Sequence, residues 1–333
     1  MKSRQQLFEE AERLEESGLE QEALRIWKEL AENSPSLDVL SRLALLAEEV
    51  GELDVAKRAL SSLIKLDPSV APAHQALASI ALDEKEYEAA EGYLRTALGL
   101  ERTRAGFNLL GLTLWHLGRD AEAEESYRQA ITLDPRFDEA YFNLGLLIQK
   151  TNPREAEALY EKALELDPDF SPAHRELGRA RGKAERIGEA EAHLRRAIEL
   201  KPDDGWAHLY LGNILWRKRD MRGAESEFKG AHEAVPDWAP PLWCLANLYE
   251  DQSDWGRAES LYERALEIEP DDVVANMNFG RMLAKKGERD RAAVFLQRAL
   301  LLDSDYAKAR RLLSEITEPA SKDLDGLSEE SAT

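Results

Sequence analysis

Small residues recur along this chain with a fixed period, and they frame every other position. Ala23, Ala56, Ala90, Ala123, Ala156, Ala190, Ala224, Ala258 and Ala292 follow one another at intervals of 33 or 34. A second ladder, Ala11, Ala44, Ala78, Gly111, Gly145, Gly178, Gly212, Ala246 and Gly280, keeps the same period some twelve residues upstream. Residues this small are needed where two antiparallel helices cross, because tight packing brings the axes to about 8–10 Å. Four residues after each alanine of the first ladder stands a bulky one, among them Trp27, Tyr127, Tyr160, Phe228 and Tyr262, on the same helix face. Pro35, Pro68, Pro135, Pro168, Pro202, Pro236 and Pro270 follow. They end the second helix of most hairpins, since proline cannot continue a helix and forces the residue before it out of α geometry. Gly18, Gly51, Gly118 and Gly287 mark turns inside hairpins.

The pattern predicts nine helical hairpins over about 4–35, 37–68, 71–102, 104–135, 138–168, 171–202, 205–236, 239–270 and 273–304. An amphipathic helix over 305–316 then covers the apolar face that the last hairpin leaves open, as the end of a repeat array requires. Residues 317–333 have few apolar positions and excess acid, and read as a disordered tail. Three departures stand out. Glu101 and Ser304 occupy positions where other repeats end in proline. Pro153 falls in a shortened turn, at a first helical position that tolerates its missing N–H. Arg181 and Gly182 break the pattern of the sixth repeat, which is therefore the candidate for a soft joint.

The segments FNLLGLTLWHLGRDAEAEESYRQAITLDP (107–135) and EAYFNLGLLIQ (139–149) carry bulky, Leu-Gly, Gly, Ala, aromatic, Ala and Pro positions in the order of the tetratricopeptide repeat family. The chain resembles that family over about residues 4 to 304. The resemblance implies an all-α fold: paired antiparallel helices stacked into a right-handed superhelical solenoid, with first helices lining a concave groove.

Composition narrows the function. Asp and Glu total 65 against 44 Lys and Arg, for a formal charge of -21. Most of such a surface repels a phosphate backbone, so nucleic acid is not an expected partner. Cys244 is the only cysteine, which excludes an intrachain disulfide and a cysteine-based zinc cluster and fits a reducing compartment. The first fifteen residues include four Glu, unlike a secretory signal. No window is apolar over the roughly 18 residues of a membrane span, so insertion is not expected and a cytoplasmic location is. No HExxH or phosphate loop occurs. His74, His174 and His208 share one repeat position, four residues before the small residue of the crossing ladder, and read as packing residues. No catalytic group, cofactor or metal is expected.

Family resemblance assigns the groove to defined first-helix positions, which here hold Asn108, Asn143, Arg175, Arg179, Trp206, Tyr210, Asn213, Arg217, Trp243, Asn247, Asn278 and Arg281. Interfaces favour Trp, Tyr and Arg, which join apolar area to a polar handle, and an asparagine amide can read a peptide backbone in both directions. Asn213 and Asn247, one repeat apart, offer two successive clamps. Family members that grip a terminal carboxylate use a Lys, Asn, Asn, Lys, Arg set over three repeats. Asn247 and Asn278 match its asparagines, Trp243 replaces its first lysine, and no further repeat supplies the last two cations. The expected function is an adaptor that binds an extended or helical partner segment in this groove. The alternative is a scaffold subunit that self-associates or docks through its convex face.

Overall fold

A computed structural model describes residues 2–317, and these form nineteen helices with no strand among the described residues. They divide into two compact units, Met1–Pro168 and Asp169–Thr333. In unit 1 the hairpins are α1 (Arg4–Glu16) with α2 (Glu20–Asn33), α3 (Leu37–Glu49) with α4 (Leu53–Leu66), and α5 (Ala71–Asp83) with α6 (Tyr87–Leu100). Two more follow, α7 (Arg104–His116) with α8 (Asp120–Leu133) and α9 (Asp138–Ile148) with α10 (Pro153–Leu166). Unit 2 holds α11 (Ser171–Lys183) with α12 (Ile187–Leu200), and α13 (Gly205–Arg217) with α14 (Met221–Ala234). Its remaining hairpins are α15 (Pro240–Asp251) with α16 (Trp255–Ile268) and α17 (Val273–Lys286) with α18 (Arg289–Leu302). The single helix α19 (Ala307–Thr317) completes it.

The small-residue ladders sit where helices touch. A β-carbon built on Gly111 would lie 2.6 Å from the Tyr127 ring, and one on Gly212 2.5 Å from the Phe228 ring. The bulky residue of each second helix thus lies directly over the small residue of its own first helix, closing the hairpin before any neighbour is added. Trp27, Tyr127, Tyr160, Phe228 and Tyr262 are all fully buried there.

Repeats without the family's terminal proline stop by other means. Glu101 is extended (φ -144, ψ 122), and Thr103 takes over as N-cap of α7, accepting a hydrogen bond from Gly106 N at 3.0 Å. Pro153 opens α10, and Asn152 caps it. Helix α19 packs Leu312, Leu313 and Ile316 around buried Ala309, against Leu296 and Ala299 of α18, and so covers the last hairpin. The segment read as an acidic tail lies, from residue 318, outside the described residues.

The departures from pattern in the sixth hairpin each meet a neighbour. Arg181 Nη1 lies 2.6 Å from His193 Nε2 and 3.2 Å from Glu189, and Gly182 lets Ile214 approach. The division between units falls at Pro168, before this hairpin rather than within it.

Eight of the nine hairpin turns contain a left-handed residue, which composition marks only half the time. Gly18, Gly51, Gly118 and Gly287 have positive φ, and so do Lys85 (62°), Glu185 (61°), Arg219 (64°) and Ser253 (61°) at the equivalent point of other hairpins. A β-carbon there crowds the following carbonyl, at about 1 kcal/mol. Lys85→Gly is therefore expected to raise the denaturant midpoint and Gly118→Lys to lower it, as urea titrations followed by circular dichroism check.

The packing histidines carry a second duty. His74 Nε2 donates to Pro68 O (3.0 Å), and the same reach-back recurs from Tyr141 to Pro135 O, His208 to Pro202 O and Asn276 to Pro270 O. A polar side chain six residues on thus satisfies the carbonyl of the proline that ends a repeat. His208 also faces Glu227 at 2.7 Å, so both ring nitrogens meet acceptors and its pKa is raised. His193 is in the opposite situation: burial, then the Arg181 guanidinium, then His174 pull it down to about 4.

These shifts set opposite slopes. Between about 6.5 and 4 an unfolded chain binds a proton that folded His193 refuses, so stability falls as pH falls through that window. The His208 contribution is fully present below its unfolded pKa and is lost as pH rises through its raised folded value. His193→Gln is expected to remove about 1 kcal/mol of the stability lost between pH 7 and pH 5, after allowance for solvent screening at this partly exposed ring. Denaturant titrations at the two pH values read this directly.

Candidate functional site

The first helices differ in charge between the units. Over their helical spans α11, α13, α15, α17 and α19 of unit 2 carry eleven Lys and Arg against four Asp and Glu. In unit 1, α1, α3, α5, α7 and α9 carry four against eleven. A chain of net charge -21 therefore presents one strongly cationic set of first helices, which concentrates anionic groups near it.

Two clefts open among the described first helices of unit 2. Arg179, Lys183, Tyr210, Asn213 and Arg217 line one of about 290 Å³, between α11 and α13. The other, of about 490 Å³, is lined by Trp216, Asn247, Asn278 and Arg281, and its far wall is Lys308, Arg311 and Leu312 of α19. Seven of the twelve candidate groove residues thus line one or other cleft. Arg175, Trp206 and Trp243 flank them in the same unit, while Asn108 and Asn143 belong to unit 1, where Asn143 Nδ2 donates to Asn108 Oδ1 at 3.0 Å.

Many polar groups are already committed within the chain. Arg175 meets Glu176 at 3.2 Å and Asp204 at 2.8 Å, and Arg179 meets Glu176 at 2.7 Å. Arg217 donates to Gly182 O at 2.7 Å and pairs with Glu185. Asn213 Nδ2 donates to Leu209 O at 3.0 Å. Asn247 Oδ1 accepts from Tyr262 Oη at 2.8 Å and from Arg281 Nη2 at 2.9 Å. Asn213 and Asn247 each spend part of their amide on the chain itself, Asn213 through Nδ2 and Asn247 through Oδ1. Asn247 is 7% exposed and anchors buried donors, so its removal acts on the fold as well as on the cleft.

Behind Asn247 lies Glu250, whose side chain is 3% exposed. Arg281 Nη2 (3.0 Å) and Lys285 Nζ (2.7 Å) hold its carboxylate, and Tyr262 Oη approaches at 3.4 Å. This network fixes the Arg281 guanidinium at the cleft edge. Trp243 donates to Asp272 at 3.1 Å and Trp216 to Asp251 at 2.9 Å, which orients both indoles. Trp206 remains 47% exposed, packed on Trp238 (ring centroids 4.3 Å) and Tyr210 (5.6 Å). Cys244 is buried in α15, and burial pushes its thiol pKa up, away from nucleophilic use.

The sequence reading missed Lys308 and Arg311, because it took α19 for a cap alone. Their signal was the register: Lys308 lies 34 residues after Val274, and Leu312 34 after Asn278, so α19 continues the first-helix series.

Tetratricopeptide repeat profiles match residues 41–107, 138–170, 175–237 and 250–321, and a TPR repeat profile matches 111–152. The chain belongs to the tetratricopeptide repeat family. No curated protein matches it by sequence. Among solved structures it is similar to the Cut9–Hcn1 hetero-tetramer of the APC/C, with TM-score 0.66 and 16% identity over 90% of this chain and 59% of that one. The chain thus spans well under two thirds of that relative's length. It is also similar to a tetratricopeptide repeat protein from Parabacteroides merdae (TM-score 0.59, 18% identity, 74% of this chain and 99% of that one). Pseudomonas aeruginosa pilF is a third (TM-score 0.55, 20% identity, 64% and 97%). At such identities the likeness is one of fold. Family and fold support a protein–protein interaction adaptor or scaffold in general. No described helix is long and apolar enough to cross a membrane.

Proposed function

We propose that this chain is an adaptor whose unit 2 holds an acidic, extended segment of a partner protein across its first helices. The carrying observation is the pair of clefts edged by Arg179, Lys183, Arg217, Arg281, Lys308 and Arg311 on a chain that is otherwise strongly acidic. Complementary potential of this kind speeds encounter and rejects cationic segments. The aromatic rings of Tyr210 and Trp216 supply apolar contact between the charges. Asn247 and Asn278 match the asparagines of the carboxylate-gripping set of other family members, with Trp243 in place of its first lysine, and Lys308 and Arg311 add cations to the same cleft.

The test is fluorescence anisotropy with a fluorescein-labelled peptide of alternating Asp, Glu and Leu. Lys308 and Arg311 are exposed, so their joint replacement by Ala leaves folding intact. It is expected to weaken the peptide at least tenfold, whereas Arg196→Ala on α12 changes affinity little. Amidating the peptide's C-terminus weakens it further if the terminal carboxylate is what the cleft grips. Equal affinity of wild type and the double variant overturns the proposal. Concentration-dependent oligomers of the free chain in sedimentation favour the scaffold alternative.

A further inference from the structure

A second cleft of another kind lies in unit 1, away from the first-helix face. In several hairpins the fourth residue of the first-helix repeat meets a partner three residues after the second-helix alanine. His74 faces Tyr93 with ring centroids 6.4 Å apart, His174 faces His193, His208 faces Glu227, and Leu242 and Leu261 share a cluster. In the second hairpin the pair is Leu40 and Ala59. Only the fourth hairpin has a comparably small residue there, Ser126, and its first-helix counterpart is the larger Phe107; the third has Tyr93, the eighth Leu261 and the ninth Phe295.

The missing side chain leaves a cleft of about 470 Å³ between α2, α3 and α4, with Leu40, Leu43, Val55 and Ala59 lining it. Lys28, Arg58 and Lys65 stand around it with one carboxylate, Glu32. Arg58 holds the Asp54 carbonyl through Nε at 3.2 Å. Neither it nor Lys65 is ion-paired among the described residues, and Lys28 reaches Glu52 only at 3.5 Å. The size falls in the about 300–1,000 Å³ range of pockets that seat a ligand group.

We propose that this cleft is a docking site for a partner segment that presents one bulky apolar side chain flanked by carboxylates. Burial of the apolar group over Leu40 and Ala59 supplies the anchor, and Lys28, Arg58 and Lys65 meet the flanking charges. The site is independent of the unit 2 face.

The probe is a fluorescein-labelled peptide, Asp-Glu-Phe-Glu-Asp. It is titrated against the full chain carrying Lys308→Ala and Arg311→Ala, so that the unit 2 clefts contribute least. Ala59→Tyr, which copies the third hairpin, and Ala59→Leu, which copies the eighth, are each expected to weaken binding at least tenfold while leaving or raising the melting temperature. Arg58→Glu with Lys65→Glu weakens it by a similar factor, and a Lys-flanked peptide does not bind. Unchanged affinity in both Ala59 variants overturns the proposal. So does binding that appears only after residues 318–333 are deleted, which makes the chain's own acidic segment the occupant. A wild-type dimer that Ala59→Tyr dissociates likewise overturns it, in favour of a second copy.

Discussion

Phe228→Ala is expected to cost about 3–5 kcal/mol, because it empties a fully buried site at the centre of the seventh hairpin. Gly212→Ala alone is expected to cost about 1–3 kcal/mol, since its new β-carbon would stand 2.5 Å from the Phe228 ring and force the helices apart. The two changes are not additive. With Phe228 gone, the added methyl enters the space the ring vacated and brings the better helix propensity of alanine, so Gly212→Ala becomes neutral or stabilising in that background. Urea titrations of the four members of this cycle measure the coupling. Additive losses would mean that the ladder of small residues has some origin other than close approach of a bulky ring.

Replacing Arg281 and Lys285 together by Met is expected to destabilise unit 2 by about 3–5 kcal/mol, because it leaves the Glu250 carboxylate buried without a counter-charge. Lys285→Met alone costs far less, as Arg281 still holds the carboxylate at 3.0 Å and the lysine is itself half exposed. Adding Glu250→Gln to the double variant restores much of the loss, because an amide needs no counter-charge. Thermal melts of the three proteins check the order. A double variant as stable as wild type would show that water reaches Glu250, and that Arg281 is not held in place at the cleft edge by this pair.

The fold was legible because its rule is local and repeated. The fourth hairpin, read over 104–135, is observed as α7 and α8 from Arg104 to Leu133, and the final helix, read over 305–316, as Ala307–Thr317. Small residues report helix approach wherever they fall, so two ladders in phase determine the pairing. Several partners of polar groups were not legible, because they lie about one repeat away on another first helix: Arg281 reaches Asn247 and Glu250, and Arg217 reaches Gly182. Periodicity assigns such residues to a face without saying which neighbour claims them. The left-handed turn residues Lys85 and Ser253 were missed for a related reason, since a turn imposed by the hairpin on each side does not require glycine. The division at Pro168 coincides with an ordinary repeat-ending proline, and the repeat pattern runs through it without a break.

The central claim, that unit 2's first helices form the partner surface, can be read from the seven tryptophans. Trp216 lines the larger cleft, Trp206 and Trp243 flank the pair of clefts, and Trp27 is buried in the first hairpin of unit 1. Each indole N–H gives one cross-peak in a nitrogen–proton correlation spectrum, assignable by Trp→Phe substitution. On titration with the peptide of alternating Asp, Glu and Leu, the Trp216 peak is expected to move most, those of Trp206 and Trp243 to follow, and those of Trp27 and of Trp115, which lies on α7 of unit 1, to stay fixed. Movement of Trp27 or Trp115 with Trp216 unmoved would contradict the assignment.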